Sequence, residues 1–280
     1  MMIRQEPGIR LLATDLDGTL LDSGGRLAEA NRQALVALGE AGVVRVIATG
    51  RSWYSFRRAL PGPDLPVDYL ICSTGAGIID MSSGELIRSL RLGSALVEKT
   101  EAALHEAGVS FILQEVLPDN HRFHYLARER VPDDFHRRLA AYQGFGTPLI
   151  RPGGPREASQ FLVILEGGPE AFEGLAQSLE GVKVIRTTSP IDHKTCWMEI
   201  FPPEVSKGHA LEWLAWSLGY PRQAVAAVGN DFNDLDMLDF AARAFVAGNA
   251  PLELKFQYNA LPHHDQPILP ELMERLGISM

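Results

Sequence analysis

Cysteine is scarce in this sequence, which contains only Cys72 and Cys196, and neither belongs to a CxxC pair. Both lie in strand-like segments with apolar neighbours, so we expect two buried free thiols in a reducing cytoplasm and no disulfide framework. Nowhere do roughly 18 apolar residues run together, and the N-terminal segment lacks the apolar core of a secretory signal peptide. The sequence therefore predicts neither secretion nor a membrane span.

Positive charge is also in deficit, since 26 Lys and Arg face 35 Asp and Glu for a net charge of -9. No basic run offsets this balance, which argues against nucleic-acid binding and leaves small anions to be held by a few local cations. Internal repeats and low-complexity tracts are absent too. With 280 residues and 46% hydrophobic composition, the chain predicts one large or two ordinary globular domains.

Fully apolar strand-like segments alternate with helical patterns in two separate parts of the chain, 9–72 and 206–247. Such alternation is typical of a parallel sheet that is covered by helices on both faces. Two blocks of one pattern predict a single mainly parallel sheet built from both ends of the chain. We therefore expect a Rossmann-like three-layer α/β core over residues 1–81 and 193–280.

The segment between the two blocks has a different pattern. Strand-like runs such as "QFLVILE" and "VKVIRT" lie beside helical runs such as "SALVEKTEAALHEAG". This mixture predicts an inserted α+β domain over residues 82–192, with a sheet that carries helices on one face. The Gly- and Pro-rich stretch 142–157 is interpreted as a loop inside this domain.

Four polar turns follow or precede these predicted elements. Asp15 and Asp17 end the first strand, "ATGR" (48–51) ends the second, and "GNDFND" (229–234) ends a late one, while Lys207 opens a helix. In an open parallel sheet, ligands lie beyond the carboxyl ends of the strands, so these turns can converge. Several carboxylates at one point need a hard cation, and an all-oxygen ligand set suits Mg²⁺.

These residue types fit phosphoryl transfer. An aspartate can act as nucleophile through an aspartyl-phosphate, and a second aspartate two residues on can serve as general acid and base. Thr49 offers a hydroxyl and neighbouring backbone N–H groups, and Lys207 offers positive charge. Both can offset the charge on the phosphoryl oxygens.

"DLDGT", "ATGR", "SKG" and "GNDFNDLDML" occur in that order on the predicted elements. Together they resemble the four motifs of the haloacid dehalogenase (HAD) superfamily of Mg²⁺-dependent phosphatases. "ICSTGAGIID" and "MEIFPPEVSKGHALEWL" are similar to the segments that enter and leave the α+β cap of its Cof-like subfamily, the type IIB (C2B) cap. The resemblance implies a HAD-like core with an inserted cap.

The resemblance also implies a role for each motif residue. Asp15 would be the nucleophile and a Mg²⁺ ligand, and Asp17 would be the general acid and base, with its backbone carbonyl on the metal. The phosphoryl group would be held by Thr49, Gly50, Lys207 and Asn233. Arg51, beside the second motif, would meet the substrate or cap its helix.

The fourth motif departs from the family pattern. The family usually has Asp directly after the glycine, where this sequence has Asn230, followed by Asp231. An amide carbonyl can still bind Mg²⁺, so Asn230 and Asp234 are the implied further metal ligands, with weaker affinity expected; whether Asn230 or Asp231 takes this role stays open. The C-terminal segment 258–272 also departs from the usual glycine-containing loop.

Each motif also has a simpler structural explanation. Asp15 and Asp17 before a glycine suit a tight turn, Thr49 can cap the next helix, and a lysine such as Lys207 is usually solvated. Four motifs in one order favour a shared chemical role over coincidence.

Two histidine groups suggest zinc binding at first sight. His263, His264 and Asp265 lie in a Pro-rich loop, and His121 and His124 alternate along a strand-like run. Neither group has further ligands at a regular spacing, which favours a solvated or structural role.

Several aromatic residues invite a functional interpretation but suit packing better. Trp213 and Trp216 lie on an amphipathic helix, where packing in or beside the core is expected. Residues of the insertion that might face a substrate, but for which cap packing is favoured, are Arg122, Phe123, Tyr125 and Phe145.

The sequence thus predicts an enzyme that hydrolyses phosphate monoesters of small metabolites. Sugar phosphates are the leading class by resemblance, and mannosyl-3-phosphoglycerate, phosphorylated hexoses and flavin-type phosphates are not distinguished. A phosphomutase would share the nucleophile. A binding module that had lost hydrolysis is a third alternative, to which Asn230 gives weight. The expected partner is a small phosphorylated metabolite, with no nucleic acid or membrane, and the oligomeric state stays open.

Overall fold

The computed structural model describes residues 8–60, 65–149, 157–166, 168–189, 191–192 and 194–279. The chain divides into a core unit, Met1–Arg88 with Ser206–Met280, and an inserted unit, Ser89–Val205. The predicted boundaries were 81/82 and 192/193. The core unit extends further because a strand over residues 86–89 joins its sheet, and the inserted unit ends later because a strand over residues 196–201 pairs within the inserted sheet.

The elements are given in chain order. The first core segment contains β1 (Leu11–Asp15), α1 (Glu29–Glu40), β2 (Val44–Ala48), α2 (Trp53–Ala59), β3 (Tyr69–Cys72), β4 (Gly77–Asp80) and β5 (Leu86–Ser89). The inserted unit contains α3 (Ser94–Glu106), β6 (Phe111–Gln114), β7 (Phe123–Leu126), α4 (Asp133–Ala141), β8 (Gly146–Pro148), β9 (Gln160–Leu165), α5 (Gly168–Gln177), β10 (Lys183–Thr188) and β11 (Cys196–Phe201). The second core segment contains α6 (Lys207–Ser217), β12 (Val225–Gly229), α7 (Leu235–Phe240), β13 (Arg243–Val246), α8 (Leu252–Gln257), β14 (Asn259–Ala260) and α9 (Leu269–Leu276).

The core sheet has eight strands in the order β14-β13-β12-β1-β2-β3-β4-β5. The strands from β14 to β3 are parallel, and β4 returns antiparallel to β3. The central strand β1 pairs with β2 from the same end of the chain and with β12 from the other end. The prediction of one mainly parallel sheet built from both ends is confirmed, and this sheet brings three strand ends to one edge.

One face of the core sheet is covered by α6 and α7. Leu11 and Ala13 of β1 share a buried cluster with Leu211 and Leu214 of α6 and with Met237 of α7. Burying each of these leucine and methionine side chains contributes about 1.5–3 kcal/mol. These contacts fix the start of α6 against the carboxyl end of β1.

Other contacts fix the remaining parts of the core. Helices α1 and α9 are joined by Asn31, whose Oδ1 accepts from the backbone N–H of Leu269 at 3.1 Å. Trp213 packs beside the core, with the Arg88 guanidinium 4.9 Å from its ring centre. Packing was wrongly expected for Trp216, which is 77% exposed because it lies on the solvent side of α6.

The inserted sheet has six strands in the order β10-β11-β9-β6-β7-β8, antiparallel except for the β7 and β8 pair. Phe161 and Val163 of β9 point to the face covered by α3 and α5. Leu162 and Ile164 point to the opposite face, where Phe135 of α4 packs. The expectation of helices on one face is therefore corrected, since α4 covers the other one.

The prediction of two buried free thiols is confirmed. Cys72 and Cys196 are free and buried, and burial raises the pKa of the Cys72 thiol to about 12, which keeps it protonated. Within the described ranges, no helix has both the length and the apolar character needed to cross a bilayer. In the expected loop 142–157, residues 146–148 form β8, and 150–156 lie outside the described residues, as does the N-terminal stretch 1–7.

Candidate active site

The predicted motif residues meet at the carboxyl edge of the core sheet. Asp15 ends β1 and pairs in register with Ala48, the last residue of β2. On the other side of β1, Thr14 pairs with Val228, one residue before β12 ends at Gly229. The turns that carry Asp17, Thr49 and Asn230 therefore start from neighbouring strands.

Lys207 lies between two buried carboxylates. Its Nζ donates to Asp15 Oδ1 at 2.6 Å and to Asp234 Oδ1 at 2.7 Å, and the exposed fractions of Lys207, Asp15 and Asp234 are 1%, 5% and 0%. Ser206 caps α6 by accepting from His209 N–H at 3.0 Å, which fixes Lys207 as the first helical residue. A solvated lysine at this position is excluded.

Burial and charge act against each other in this triad. Burial favours the neutral form of Lys207, but Asp15 and Asp234 outweigh it and raise the pKa of the ammonium above its ordinary value. Burial raises the pKa of Asp15 to about 7, although the Lys207 ammonium lowers it. A buried charge persists only where partners compensate its desolvation, so the triad behaves as one electrostatic unit.

Asp17 is held by Arg51 from the second motif. Arg51 Nε donates to Asp17 Oδ2 at 2.7 Å, and its Nη2 donates to Oδ1 at 2.6 Å, which is a bidentate pair. Arg51 does not cap α2, because Ser52 is the N-cap and accepts from Ser55 N–H at 3.2 Å. A partner for Asp17 was not foreseen from the sequence.

Thr49 is buried at the start of the same turn. Its Oγ1 accepts from Arg51 N–H at 3.1 Å, and its own N–H donates to the carbonyl of Ile71 at 2.9 Å. Thr49 therefore shapes the turn that presents Arg51 and does not act as the N-cap of α2. A Cβ on Gly50 would lie 3.6 Å from Thr74 Oγ1, an ordinary contact.

The 3₁₀ turn after β3 joins the second and third motifs. Ser73 and Thr74 have positive φ angles of 48° and 58°, which is rare for residues other than glycine. Thr74 N–H donates to the Thr49 carbonyl at 3.0 Å. A Cβ on Gly75 would lie 2.2 Å from the carbonyl oxygen of Ser206. Sequence reasoning missed this segment as part of the site, and the glycines of "STGAG" were its one signal.

Oxygen atoms cluster around the side chain of Asn230. With its amide turned one way, Nδ2 lies 3.2 Å from Asp15 Oδ2 and 3.3 Å from the Asp17 carbonyl oxygen. With the amide turned the other way, Oδ1 occupies this position and accepts from Thr19 Oγ1 at 3.2 Å. A Cβ on Gly18, whose φ is 76°, would come within 2.6 Å of this amide. Glycine there permits the close approach.

This cluster fits a small hard cation. Octahedral Mg²⁺ binds oxygen at about 2.1 Å, which places adjacent ligand oxygens about 3.0 Å apart. The amide position of Asn230 has nearly this spacing to Asp15 Oδ2, at 3.2 Å, and to the Asp17 carbonyl oxygen, at 3.3 Å. With Nδ2 turned toward Asp15 Oδ2 and the Asp17 carbonyl, the amide donates hydrogen bonds to these oxygens. With Oδ1 turned toward them, it would offer a third oxygen to a cation.

The remaining fourth-motif residues are engaged differently. Asp234 Oδ2 accepts from the N–H groups of Asn230 at 2.8 Å and Asp231 at 3.1 Å, while Oδ1 binds Lys207. The Asp231 carboxylate caps the following turn by accepting from Phe232 N–H at 2.7 Å. Asn230, not Asp231, thus faces Asp15. Asn233 lies half-buried in the same turn.

The histidine groups separate in the structure. His121 packs against the Phe145 ring, and His124 Nε2 lies 4.0 Å from Glu115 Oε1, so these two do not form one site. By contrast, a group of His263, His264 and Asp265 stays together in a loop of the core unit.

The aromatic residues of the insertion pack as expected. Phe123 is buried, and Tyr125 and Phe145 lie against the cluster beneath α4. The Arg122 guanidinium lies 5.8 Å from the Phe145 ring centre. These contacts confirm the packing interpretation of the sequence.

A family profile described as haloacid dehalogenase-like hydrolase matches residues 12–261, nearly the whole chain. The chain belongs to this family. It is similar to the HMP-PP phosphatase of Klebsiella pneumoniae (strain 342), with 29% identity over 91% of this chain and 88% of that protein. It is also similar to the 5-amino-6-(5-phospho-D-ribitylamino)uracil phosphatase YwtE of Bacillus subtilis (strain 168), with 26% identity over 88% of this chain and 90% of that protein.

Solved structures support the same fold. The HAD subclass IIB sugar phosphatase BT4131 superposes with a TM-score of 0.75 at 18% sequence identity, covering 96% of this chain and all of that one. At this identity the likeness establishes the fold, an α/β core with an inserted α+β unit. The chain is thus a HAD-type hydrolase whose curated relatives are phosphatases of small phosphorylated metabolites.

Proposed function

We propose that this HAD hydrolase is a Mg²⁺-dependent phosphatase that cleaves phosphate monoesters of small metabolites, sugar phosphates first among them. The observation that carries the proposal is the environment of Asp15. One oxygen of its carboxylate is held by Lys207, and the other faces the oxygen cluster of Asp17 and Asn230. A purely structural buried aspartate, already held by Lys207, would need no second oxygen directed toward further oxygen atoms.

Two proton-balanced steps follow from this arrangement. A carboxylate oxygen of Asp15 bonds to phosphorus while the bond from phosphorus to the leaving oxygen breaks, and Asp17 gives its proton to that oxygen. Water then attacks the aspartyl-phosphate, gives a proton to Asp17, and releases inorganic phosphate and the Asp15 carboxylate. Lys207 offsets negative charge on the transferred group, together with Thr49 and Gly50 of the second motif. Asn233 is the further phosphate contact in this proposal.

We assign the Mg²⁺ ligands to a carboxylate oxygen of Asp15, the backbone carbonyl of Asp17 and the carbonyl of Asn230. When bound there, Mg²⁺ supplies charge neutralisation for the phosphoryl oxygens. Asp234 is engaged by Lys207 and two backbone N–H groups, so we place it behind the ligands, where it orients Lys207 and the turn of Asn230.

The inserted unit is proposed as a C2B cap that selects the leaving group, and the enzyme as cytoplasmic, in keeping with its two buried free thiols. Sugar phosphates remain the first substrate class. A pyrimidine linked to a phosphorylated sugar alcohol belongs in the same panel, because YwtE acts on such a compound by its name. HMP-PP belongs there for the same reason.

The test is release of inorganic phosphate from this panel with and without Mg²⁺, using wild type, Asp15→Asn and the control Asp119→Asn. Asp119 is exposed in the inserted unit and far in sequence from the motifs. Metal-dependent release that is lost only in Asp15→Asn supports the proposal. Full activity of Asp15→Asn would refute the nucleophile, and turnover without free phosphate would indicate a phosphomutase.

A further inference from the structure

The loop after β14 touches the turn that follows the first motif. Ser23 N–H donates to Asp265 Oδ1 at 2.8 Å, and Ser23 Oγ lies 3.2 Å from His264 Nε2. The Ser23 turn is itself fixed, because Asp22 Oδ1 accepts from the N–H groups of Gly24 and Arg26. Residues far apart in sequence are thus joined within the core unit, and these contacts include none of the motif residues.

Three metal-ligating side chains converge at this junction. His263, His264 and Asp265 each offer one donor atom, and these atoms lie within 4.8 Å of one another. His263 Nδ1 lies 3.3 Å from Asp265 Oδ2, and His264 Nε2 lies 3.8 Å from Asp265 Oδ1. The two imidazole rings are 4.5 Å apart.

The donor atoms of His263 and Asp265 lie close together. His263 Nδ1 accepts a long hydrogen bond of 3.3 Å from Asp265 N–H, which a metal ion on Nδ1 would replace, and Asp265 Oδ2 lies 3.3 Å from the same nitrogen. A proton on Nδ1 or a metal ion between Nδ1 and Oδ2 would each satisfy this pair. His264 adds a buried Nδ1 for which the described residues provide no hydrogen-bond partner, so the ring can turn without losing a bond there.

We propose that His263, His264 and Asp265 form a second metal site, separate from the Mg²⁺ site, that takes a divalent transition ion such as Zn²⁺. Imidazole and carboxylate ligands suit Zn²⁺, whereas Mg²⁺ prefers oxygen alone. Tetrahedral Zn²⁺ at about 2.0–2.1 Å from its ligands requires donor atoms about 3.3 Å apart. The His263 and Asp265 pair already has this spacing, and a small rotation of His264 completes the set, with water as the fourth ligand.

The ion would tie the turn of Ser23 to the loop before α9. Its role in this proposal is to hold an edge of the core unit, and no catalytic step depends on it. The proposal of this metal site can therefore be confirmed or refuted whatever the outcome for the proposed phosphatase activity.

The experiment measures Zn²⁺ binding to EDTA-stripped protein by equilibrium dialysis in excess Mg²⁺, with thermal unfolding as a second readout. We compare wild type, His263→Ala/His264→Ala and the control His136→Ala, which removes an exposed histidine of α4. Asp15→Asn serves as a further variant, because it alters the other metal centre.

We expect one Zn²⁺ per chain in wild type, His136→Ala and Asp15→Asn, and affinity at least about 10-fold weaker in the double variant. Zn²⁺ should raise the Tm of wild type but not of the double variant, since an ion that binds only the folded chain stabilises it. Equal binding by the double variant, or no stoichiometric binding by wild type at about 100 µM Zn²⁺, would overturn the proposal.

Discussion

Arg51 binds the carboxylate of Asp17 through two hydrogen bonds of 2.7 and 2.6 Å, although both side chains remain partly exposed to solvent. Exposed ion pairs add little to stability, about 0–1 kcal/mol. We therefore infer that the ion pair orients the Asp17 side chain and adds little to the free energy of unfolding. To act as acid and base, Asp17 must free one of these two oxygens for the leaving oxygen, while its other oxygen stays bound to Arg51.

Replacing Arg51 tests this role. Arg51→Ala should lower kcat/KM by roughly 10- to 100-fold through loss of a charge-assisted contact, with little change in Tm. Arg51→Lys keeps the positive charge but loses the two-pronged guanidinium, so its kcat/KM should lie between those of wild type and Arg51→Ala. Steady-state kinetics and thermal unfolding are the measurements. Wild-type kcat/KM in Arg51→Ala would show that the pair has no part in the reaction.

Lys207 should be needed for folding as well as for activity. Lys207→Met leaves Asp15 and Asp234 buried without their cation, which should lower the free energy of unfolding by about 3–5 kcal/mol. Adding Asp234→Asn removes one of the stranded charges and should restore part of this loss, without restoring activity. Urea unfolding of the single and double variants measures both effects. An unchanged urea midpoint for Lys207→Met would contradict the triad as one electrostatic unit.

The amide of Asn230 should set the affinity for Mg²⁺. Asn230→Asp adds a negative charge beside Asp15 Oδ2, so the Mg²⁺ concentration for half-maximal activity should fall by roughly 10-fold. The metal-free variant should unfold at a lower Tm than metal-free wild type, because like charges then face each other. Asp231→Asn is the matched control, since that carboxylate caps a turn. An equal response of both variants to Mg²⁺ would refute the assignment of Asn230.

Gly75 should be sterically required. A Cβ there would lie 2.2 Å from the Ser206 carbonyl, directly before Lys207, and φ is 104°. Gly75→Ala should therefore cost more than about 3 kcal/mol and displace Lys207. Gly108→Ala is the control, because its φ is also positive, at 69°, but no atom lies near its Cβ. It should cost only about 1 kcal/mol. Urea unfolding compares them, and equal losses would mean that backbone strain alone explains the effect.

Much of the core could be predicted because its signals are local. Apolar runs identify the strands, and parallel strands place their carboxyl ends together, so Asp15 and the turn of Asn230 had to meet. The family resemblance then implied a role for each motif residue. The burial of Lys207 follows from the same geometry once its helix packs on β1.

The remaining features of the site depend on contacts between distant residues, which the local pattern of apolar and polar residues does not predict. The pairing of Arg51 with Asp17 depends on how two turns are oriented. Thr74 combines a positive φ, which a β-branched residue rarely adopts, with a hydrogen bond to the carbonyl of Thr49, a residue distant in sequence. The place of α4 on the second face of the inserted sheet was not predicted, because its short polar sequence packs mainly through Phe135 against that sheet.

The place of β1 in the sheet has a consequence for biosynthesis. Asp15 and Lys207 are 192 positions apart, and one neighbour of β1 is β12, which is among the last strands to be translated. While the ribosome is still extending the chain, β1 has only β2 beside it, and the inserted unit emerges complete before the core does. A nascent chain that stops before residue 225 thus exposes an open apolar strand edge, a state that chaperones would have to shield.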